Sequence, residues 1–336
     1  MKAARLHAVR DLRVETLPSP PPPGPGEVRL RVEAAGICGS DLHNWRTGQW
    51  LGPRIAVPGH ELAGRVLEVG SGVEGFAPGD LAGADSRVWC GTCPACRAGR
   101  RHLCAGLGFV GEVCDGGFAE EVVLPARLLV KLDPALDPLV AAMLEPLAVA
   151  LHAVSRLAPP PGEAVLIAGC GPIGGLAALL LARRHDGPVL LADRNAARLR
   201  TVAEVAGGRP ASLDDPLLSA AAPRFAVEAT GQVPVLSALL GLLGGGGRIA
   251  LVGIFHERLD LDPNRLVEAE IALLGCHAFA DELHEAARLL PELAPALKRF
   301  VEAEVALDDL PDTYARLVRG EATNLKTIVR PNGGAP

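Results

Sequence analysis

Cys90, Cys93, Cys96 and Cys104 stand at a C-x2-C-x2-C-x7-C spacing within fifteen residues. Short C-x2-C loops hold sulfurs close to the tetrahedral spacing that Zn²⁺ takes, and four thiolates close its coordination sphere. The lobe 90–104 is therefore expected to hold a structural zinc. An iron–sulfur cluster uses related spacings, and a nucleic-acid-binding zinc ribbon is the other rival, since Arg97, Arg100, Arg101 and His102 make the lobe locally basic. A site saturated by four thiolates has no room for substrate, so chemistry is sought elsewhere.

A second set of residues is more scattered. Cys38, Ser40, Asp41 and His43 lie within Gly36-Ile37-Cys38-Gly39-Ser40-Asp41-Leu42-His43, and His60-Glu61 follows 17 residues after His43. Glu145 comes much later, in Leu144-Glu145-Pro146, which opens a helical segment. Cysteine, histidine and glutamate can give a metal three ligands and leave a fourth position for substrate. Each has a plainer reading alone. Cys38 could be a small buried hydrophobe, His60 a hydrogen-bonded structural residue, and Glu145 a first-turn glutamate favoured by the helix dipole.

Gly169-Cys170-Gly171-Pro172-Ile173-Gly174 is a G-x-G-x-x-G, with Asp193 placed 19 residues after Gly174. Its context gives it meaning: it follows an apolar run, Ala164 to Ala168, and opens a helical pattern. Gly169 permits the tight turn, Gly171 lets backbone approach a pyrophosphate, and Gly174 allows close helix–strand packing. The helix opening at Pro172-Ile173 then turns its free N–H groups, from Ile173 onward, to the phosphates at a positive dipole end. Asp193 can accept from ribose hydroxyls and repel a 2′-phosphate, which favours NAD over NADP, although Arg194 and Arg198 nearby soften that preference. Gly244 to Gly247 reads as a helix-to-strand turn.

These residues need two kinds of scaffold. Before residue 138 the pattern is β-rich. Val28, Leu30 and Val32 alternate with Arg29, Arg31 and Glu33, as in a half-buried strand. Leu62 to Val69 and Gly117 to Leu132 read the same way. The run Pro18 to Gly26 reads as a stiff loop between strands. After residue 160, apolar runs at Val189–Ala192, Phe225–Ala229, Arg248–Val252 and Ile271–Leu274 alternate with helical stretches, such as Pro172–Arg184 and Ala196–Ala206. That rhythm predicts an α/β doubly wound parallel sheet. A helix over about Asp281 to Leu290 is expected in the tail.

Composition narrows the function classes. A chain of 336 residues suits two domains and can bury a core without staples. The formal net charge of −6 argues against nucleic acid or an anionic membrane as partner. No apolar run is long enough for a spanning helix, and Met1 to Arg5 opens no secretory signal. The expectation is a cytoplasmic enzyme with a small-molecule substrate. Eight cysteines in such a chain point to metal or catalysis rather than disulfides.

The four-cysteine lobe, the Cys38, His60 and Glu145 motifs and the glycine loop, in this order, resemble the zinc-dependent medium-chain dehydrogenase/reductase family over essentially the whole length. Glu145-Pro146-Leu147 followed by Val149 and His152-Ala153 resembles the sorbitol (polyol) and threonine dehydrogenase branch. The resemblance implies a GroES-like zinc catalytic domain from residues 1–150 and 280–336, and a Rossmann NAD-binding domain from 151–279. It implies two zincs per chain, one structural and one catalytic. Cys38 and His60 match the first two catalytic ligands, with Glu61 and Glu145 both candidates for the carboxylate. Asp41 matches the residue that holds the ligating imidazole, Ser40 the hydroxyl that takes the substrate proton, and His43 the outer relay. The implied reaction is hydride transfer between a secondary alcohol (a polyol, sugar alcohol or related hydroxy compound) and NAD. A threonine 3-dehydrogenase or general secondary-alcohol dehydrogenase is the neighbouring reading, and a catalytically inactive zinc-binding member the non-enzyme one. By analogy the chain is a homo-oligomer, a tetramer or else a dimer.

Substrate does not carry over. Sorbitol dehydrogenases usually have a tyrosine after the relay histidine, where this chain has Asn44 and then Trp45. Their Arg-Tyr pair is missing from Gly275-Cys276-His277-Ala278-Phe279. Trp45 and Trp50 are read as pocket wall or core, and His277 as substrate contact or structural. The one tyrosine, Tyr314, lies in the tail, far from these motifs.

Overall fold

The computed structural model describes residues 1–333, and the chain divides into two units. One combines Met1–Glu145 with Leu283–Ala322 and the stretch from Lys326. The other is Pro146–Glu282 with Thr323–Leu325.

The first unit is built on a seven-stranded sheet. Its order is Val301–Val305, Lys326–Val329, Glu27–Gly36, Glu61–Val69, Leu81–Ala84, Leu129–Lys131, and Glu121–Pro125 also pairs with Glu27–Gly36. Val28, Leu30 and Val32 point inward as their alternation predicts, and join Leu62, Val66 and Phe118 in one core. Their neighbours Arg29 and Arg31 take ion pairs with Glu68 and Glu33 outside it. The 117–132 stretch is not one strand, because a 3-10 turn at Ala126–Leu128 interrupts it. The proline run 18–26 is a loop between the strands Asp11–Thr16 and Glu27–Gly36.

Two helices of this unit depart from the sequence reading. Gly39–Thr47 is a helix, although most of its side chains are polar or small and only Asp41 and His43 are buried along it. A mostly polar helix carries little apolar periodicity to read. The tail helix runs from Leu283 to Arg299, well past Leu290 and through Pro291 and Pro295. Its apolar face, Leu283, Ala286, Leu290, Leu293 and Leu297, is buried throughout, and both prolines lie on the exposed face. Continuous burial there outweighs the lost amide bonds.

The second unit is a six-stranded, all-parallel sheet. The order is Arg209–Pro210, Val189–Ala192, Val165–Ala168, Phe225–Glu228, Arg248–Leu251, Ala272–Gly275. The order reverses direction from Val165–Ala168, which makes that strand's carboxyl end the switch point where such sheets bind ligands. The helices Pro172–Arg184 and Ala196–Ala206 fall where the pattern put them. Val165, Leu166, Ile167 and Ala168 are all buried, as a strand covered on both faces requires. Among the described residues, no helix is long and apolar enough to cross a membrane.

Candidate active site and metal centres

The long central strand of the first unit stops at Gly36, and Ile37 N donates to Thr327 O at 3.0 Å. Cys38 then caps the helix Gly39–Thr47 in an extended conformation. Three residues on, Asp41 folds back so that its Oδ2 accepts from Cys38 N at 2.8 Å. Its other oxygen, Oδ1, lies 3.7 Å from Nδ1 of His60. One short helix thus presents a thiol, the Ser40 hydroxyl and a carboxylate to one imidazole. Ser40 Oγ is 3.4 Å from His60 Nε2. One turn later, Nε2 of His43 meets Gln49 Oε1 at 2.7 Å, and the His43 ring lies 4.7 Å from Trp50.

Donor atoms of Cys38, His60 and Glu61 all lie within 4.8 Å of one another. Glu61 is 1% exposed, and its Oε1 has no hydrogen-bond partner among the described residues. A thiol, an imidazole and an orphaned carboxylate oxygen form the mixed donor set that suits Zn²⁺. Glu145 does not join that cluster; its Oε1 accepts from Ser86 Oγ at 2.7 Å. Burial pushes the Glu145 carboxyl up to about 7, with the His60 charge opposing and the Glu61 charge adding. Burial pulls the other way on His60, yet the negative charges of Asp41 and Cys38 raise it well above the usual histidine range. The pocket is therefore rich in negative potential, which a cation would neutralise.

Lys326 had no motif to announce it. It sits 3% exposed at the start of a strand, paired with Glu61 Oε2 and donating to Ile37 O at 3.0 Å. Gly36 leaves the space this pair occupies. A Cβ there would stand 2.1 Å from Glu61 Oε2 and 2.8 Å from Lys326 Cε.

A pocket opens over this cluster, lined by Ser40, Asp41, Asn44, His60, Glu112 and Tyr314 among others. The fold brings Tyr314 there from the tail, so distance along the chain misleads. Its ring packs edge-on against Phe118 and Trp45, which assigns Trp45 to the core. Glu112 belongs to no recognisable motif, and only the loop that carries it, between Phe109 and Gly117, places it.

Donor atoms of Cys90, Cys93, Cys96 and Cys104 also lie within 4.8 Å of one another. The Cys90 sulfur accepts backbone N–H groups from Thr92 and Cys93, which lower its thiol to about 6. That favours the thiolate a metal needs. One of the lobe's basic side chains has local work: the Arg101 guanidinium stacks on Trp89 at 5.1 Å, and Arg127, from outside the lobe, stacks on the same ring at 4.7 Å.

In the second unit Gly169 has φ +100°, and a Cβ on Gly174 would lie 1.8 Å from Gly169 O. Gly171 caps the helix that begins at Pro172 and Ile173, with open space where a side chain would stand. Asp193 is fixed by Cys170 N and Asn195 N, both at 2.6 Å. Arg194 is exposed, while Arg198 Nε is held by Asn324 O at 2.9 Å.

Residues 24–134 match the family described as alcohol dehydrogenase GroES-like domain. The chain is 29% identical to sorbitol dehydrogenase of Bacillus subtilis, covering 99% of this chain and 98% of that protein. It is 33% identical to 2-dehydro-3-deoxy-L-galactonate 5-dehydrogenase of Pseudoalteromonas atlantica, over 91% and 92% of the two chains. A Sinorhizobium meliloti protein, described as a zinc-binding dehydrogenase and solved with NADP, superposes with a TM-score of 0.90. That structure shares 31% identity, over 98% of this chain and 99% of the other.

Proposed function

The chain belongs to the zinc-dependent medium-chain dehydrogenase/reductase family, in its sorbitol and threonine dehydrogenase-like branch, and we propose that it oxidises a small secondary alcohol to the ketone with NAD. The observation that carries this reading is the convergence of Cys38, His60 and Glu61 within 4.8 Å, with Ser40 Oγ 3.4 Å from His60.

Cys38, His60 and a carboxylate, Glu61 or Glu145, would hold the catalytic metal, and Cys90, Cys93, Cys96 and Cys104 a second. Zinc in the first position supplies Lewis acidity, which makes an alcohol proton easier to remove near neutral pH. The nicotinamide supplies the hydride acceptor. The protein supplies the rest. Asp41 holds the His60 imidazole in register through Nδ1. Ser40 accepts the hydroxyl proton, and His43 passes a proton outward. Gly169, Gly171, Pro172, Ile173 and Gly174 shape the loop for a pyrophosphate. The carboxylate of Asp193 disfavours a 2′-phosphate and supports NAD as the cofactor, with Arg194 and Arg198 at its margin.

A cytoplasmic location and a homo-oligomer complete the reading, tetrameric by family habit. Support for association comes from the sheet edge at Ala272–Gly275, which is only half-covered along its length. Sugar acids and threonine are the neighbouring substrate classes, since relatives named for both match this chain.

The test is a screen of secondary alcohols, polyols, threonine and sugar acids, with NAD and NADP, followed by the absorbance of NADH or NADPH. Oxidation of a secondary alcohol with NAD is expected. Zinc-loaded protein that reduces neither cofactor with any of them would refute the proposal.

A further inference from the structure

One charge in the pocket over Ser40 and His60 has no partner. Lys326 balances Glu61, and Asp41 faces His60 while accepting from Cys38 N. Glu112 lines the same pocket, and its side chain takes no hydrogen bond or ion pair among the described residues. It is half-buried, and its carboxylate oxygens are open to what enters, whereas those of Glu61 are sealed. The loop that carries it is laid on the turn that carries His60. Gly116 N donates to Val57 O at 2.7 Å and Gly117 N to Gly59 O at 2.6 Å. Gly111 closes the contact, since a Cβ there would stand 3.0 Å from Gly59 N. Within the loop, Glu112 N donates to Phe109 O at 3.0 Å. A fixed carboxylate therefore stands near enough to His60 and Asp41 to feel their charges. The apolar side chains beside it in the lining, Leu6, Pro58 and Val110, offer it no hydrogen bond. A carboxylate so placed gains from a cation, because charge attraction strengthens where water is displaced. No lysine or arginine lines the pocket, so an anion finds no such counterpart.

We propose that Glu112 binds an ammonium group of the substrate, so that the preferred alcohol is a cationic amino alcohol that carries no carboxylate. This deepens the dehydrogenase reading and rests on it. The carbinol reacts as before: its hydride goes to NAD, its hydroxyl proton to Ser40, and an amino ketone remains. Glu112 takes part in neither transfer; it sets the charge that the pocket accepts. Threonine brings the ammonium, but its carboxylate then meets the Glu112 charge and no lysine or arginine. A sugar acid brings only the carboxylate. A site whose polar group is left unpaired by the wrong substrate discriminates strongly against it.

Three probes that differ only in the group beside a shared hydroxypropyl unit test it. 1-Amino-2-propanol carries an ammonium there, 2-butanol a methyl group and 3-hydroxybutanoate a carboxylate; threonine carries both charges. Each is measured with the zinc-loaded full chain at pH 8, where Glu112 is ionised, by NADH formation and independently by calorimetric titration. The kcat/KM and affinity for 1-amino-2-propanol should exceed those for 2-butanol at least ten-fold, and those for 3-hydroxybutanoate and threonine by more. In Glu112→Gln, which keeps the shape, the ratio of 1-amino-2-propanol to 2-butanol should fall at least ten-fold. In Glu112→Lys, 3-hydroxybutanoate should overtake 1-amino-2-propanol. Zinc content and thermal unfolding separate misfolding from lost recognition, and the glutamine variant decides alone if the lysine variant does not fold. Equal use of 1-amino-2-propanol and 2-butanol would overturn the role of Glu112 while the dehydrogenase reading stands. So would an unchanged ratio in folded Glu112→Gln, or a preference for threonine over 1-amino-2-propanol. Glu112-dependent binding of 1-amino-2-propanol without turnover of any alcohol would refute the dehydrogenase reading and leave the ammonium site in place.

Discussion

Lys326 and Glu61 form an ion pair with their side chains 4% and 1% exposed, inside a space that Gly36 keeps open. The ammonium is therefore the fixed counter-charge of a proposed zinc ligand. Removing one partner of such a pair strands the other, at a cost of about 3–5 kcal/mol. Lys326→Met should lower chain stability by that order in urea unfolding of metal-free protein. The loss should shrink when zinc is added, because a metal ion can take over the counter-charge. An equal loss with and without zinc would show that Glu61 does not face the metal.

Two donor clusters of different completeness imply two zinc classes. The expected content is two zincs per chain by elemental analysis. The mixed set at Cys38, His60 and Glu61 should release its metal to a chelator first, since four thiolates enclose the other more fully. Turnover should then stop while far-ultraviolet circular dichroism stays unchanged. Full activity at one zinc per chain would sink the assignment.

Gly174 touches the loop it follows. A methyl group placed 1.8 Å from Gly169 O forces the helix away from the strand. Gly174→Ala should therefore weaken NADH binding more than ten-fold, measured by nicotinamide fluorescence. The zinc content should be unaffected, because both donor clusters belong to the other unit.

Burial raises the Glu112 carboxyl from an ordinary value near 4.5 to about 7. The folded chain thus holds this proton more tightly than the unfolded one. Its contribution is complete below about pH 4.5 and is lost as pH rises through about 7. Glu112→Gln stays neutral and removes that slope. The variant should match the parent at pH 4.5 and exceed it at pH 8, by on the order of 1–3 kcal/mol after allowing for solvent screening. Urea unfolding at the two pH values reads the difference, and parallel curves for parent and variant would contradict it.

Much of the fold was legible because its signals are local. A buried parallel strand is a short apolar run, so Val165–Ala168 and Val189–Ala192 stand out, and the glycines after the first mark the turn from strand into helix. The four cysteines were legible for the same reason: their spacing alone brings the sulfurs together. The helix Gly39–Thr47 was not, because it is mostly polar, and neither was the full tail helix, whose prolines mask a buried stripe. In the catalytic cluster, Cys38, His60 and Glu61 were named from motif order, but nothing along the chain ranked Glu61 against Glu145.

Residue type and spacing by themselves determined the four-cysteine cluster, a glycine turn from strand into helix and the alternation of apolar strands with helices, since each depends on close neighbours in sequence. The tertiary structure alone decided which distant groups share the pocket. Lys326 reaches Glu61 because antiparallel pairing sets its strand beside Glu27–Gly36, and Tyr314 reaches Ser40 because its helix packs on the same core. Such contacts arise from the burial of side chains far apart in sequence, and burial is a property of the packed whole that no local pattern carries.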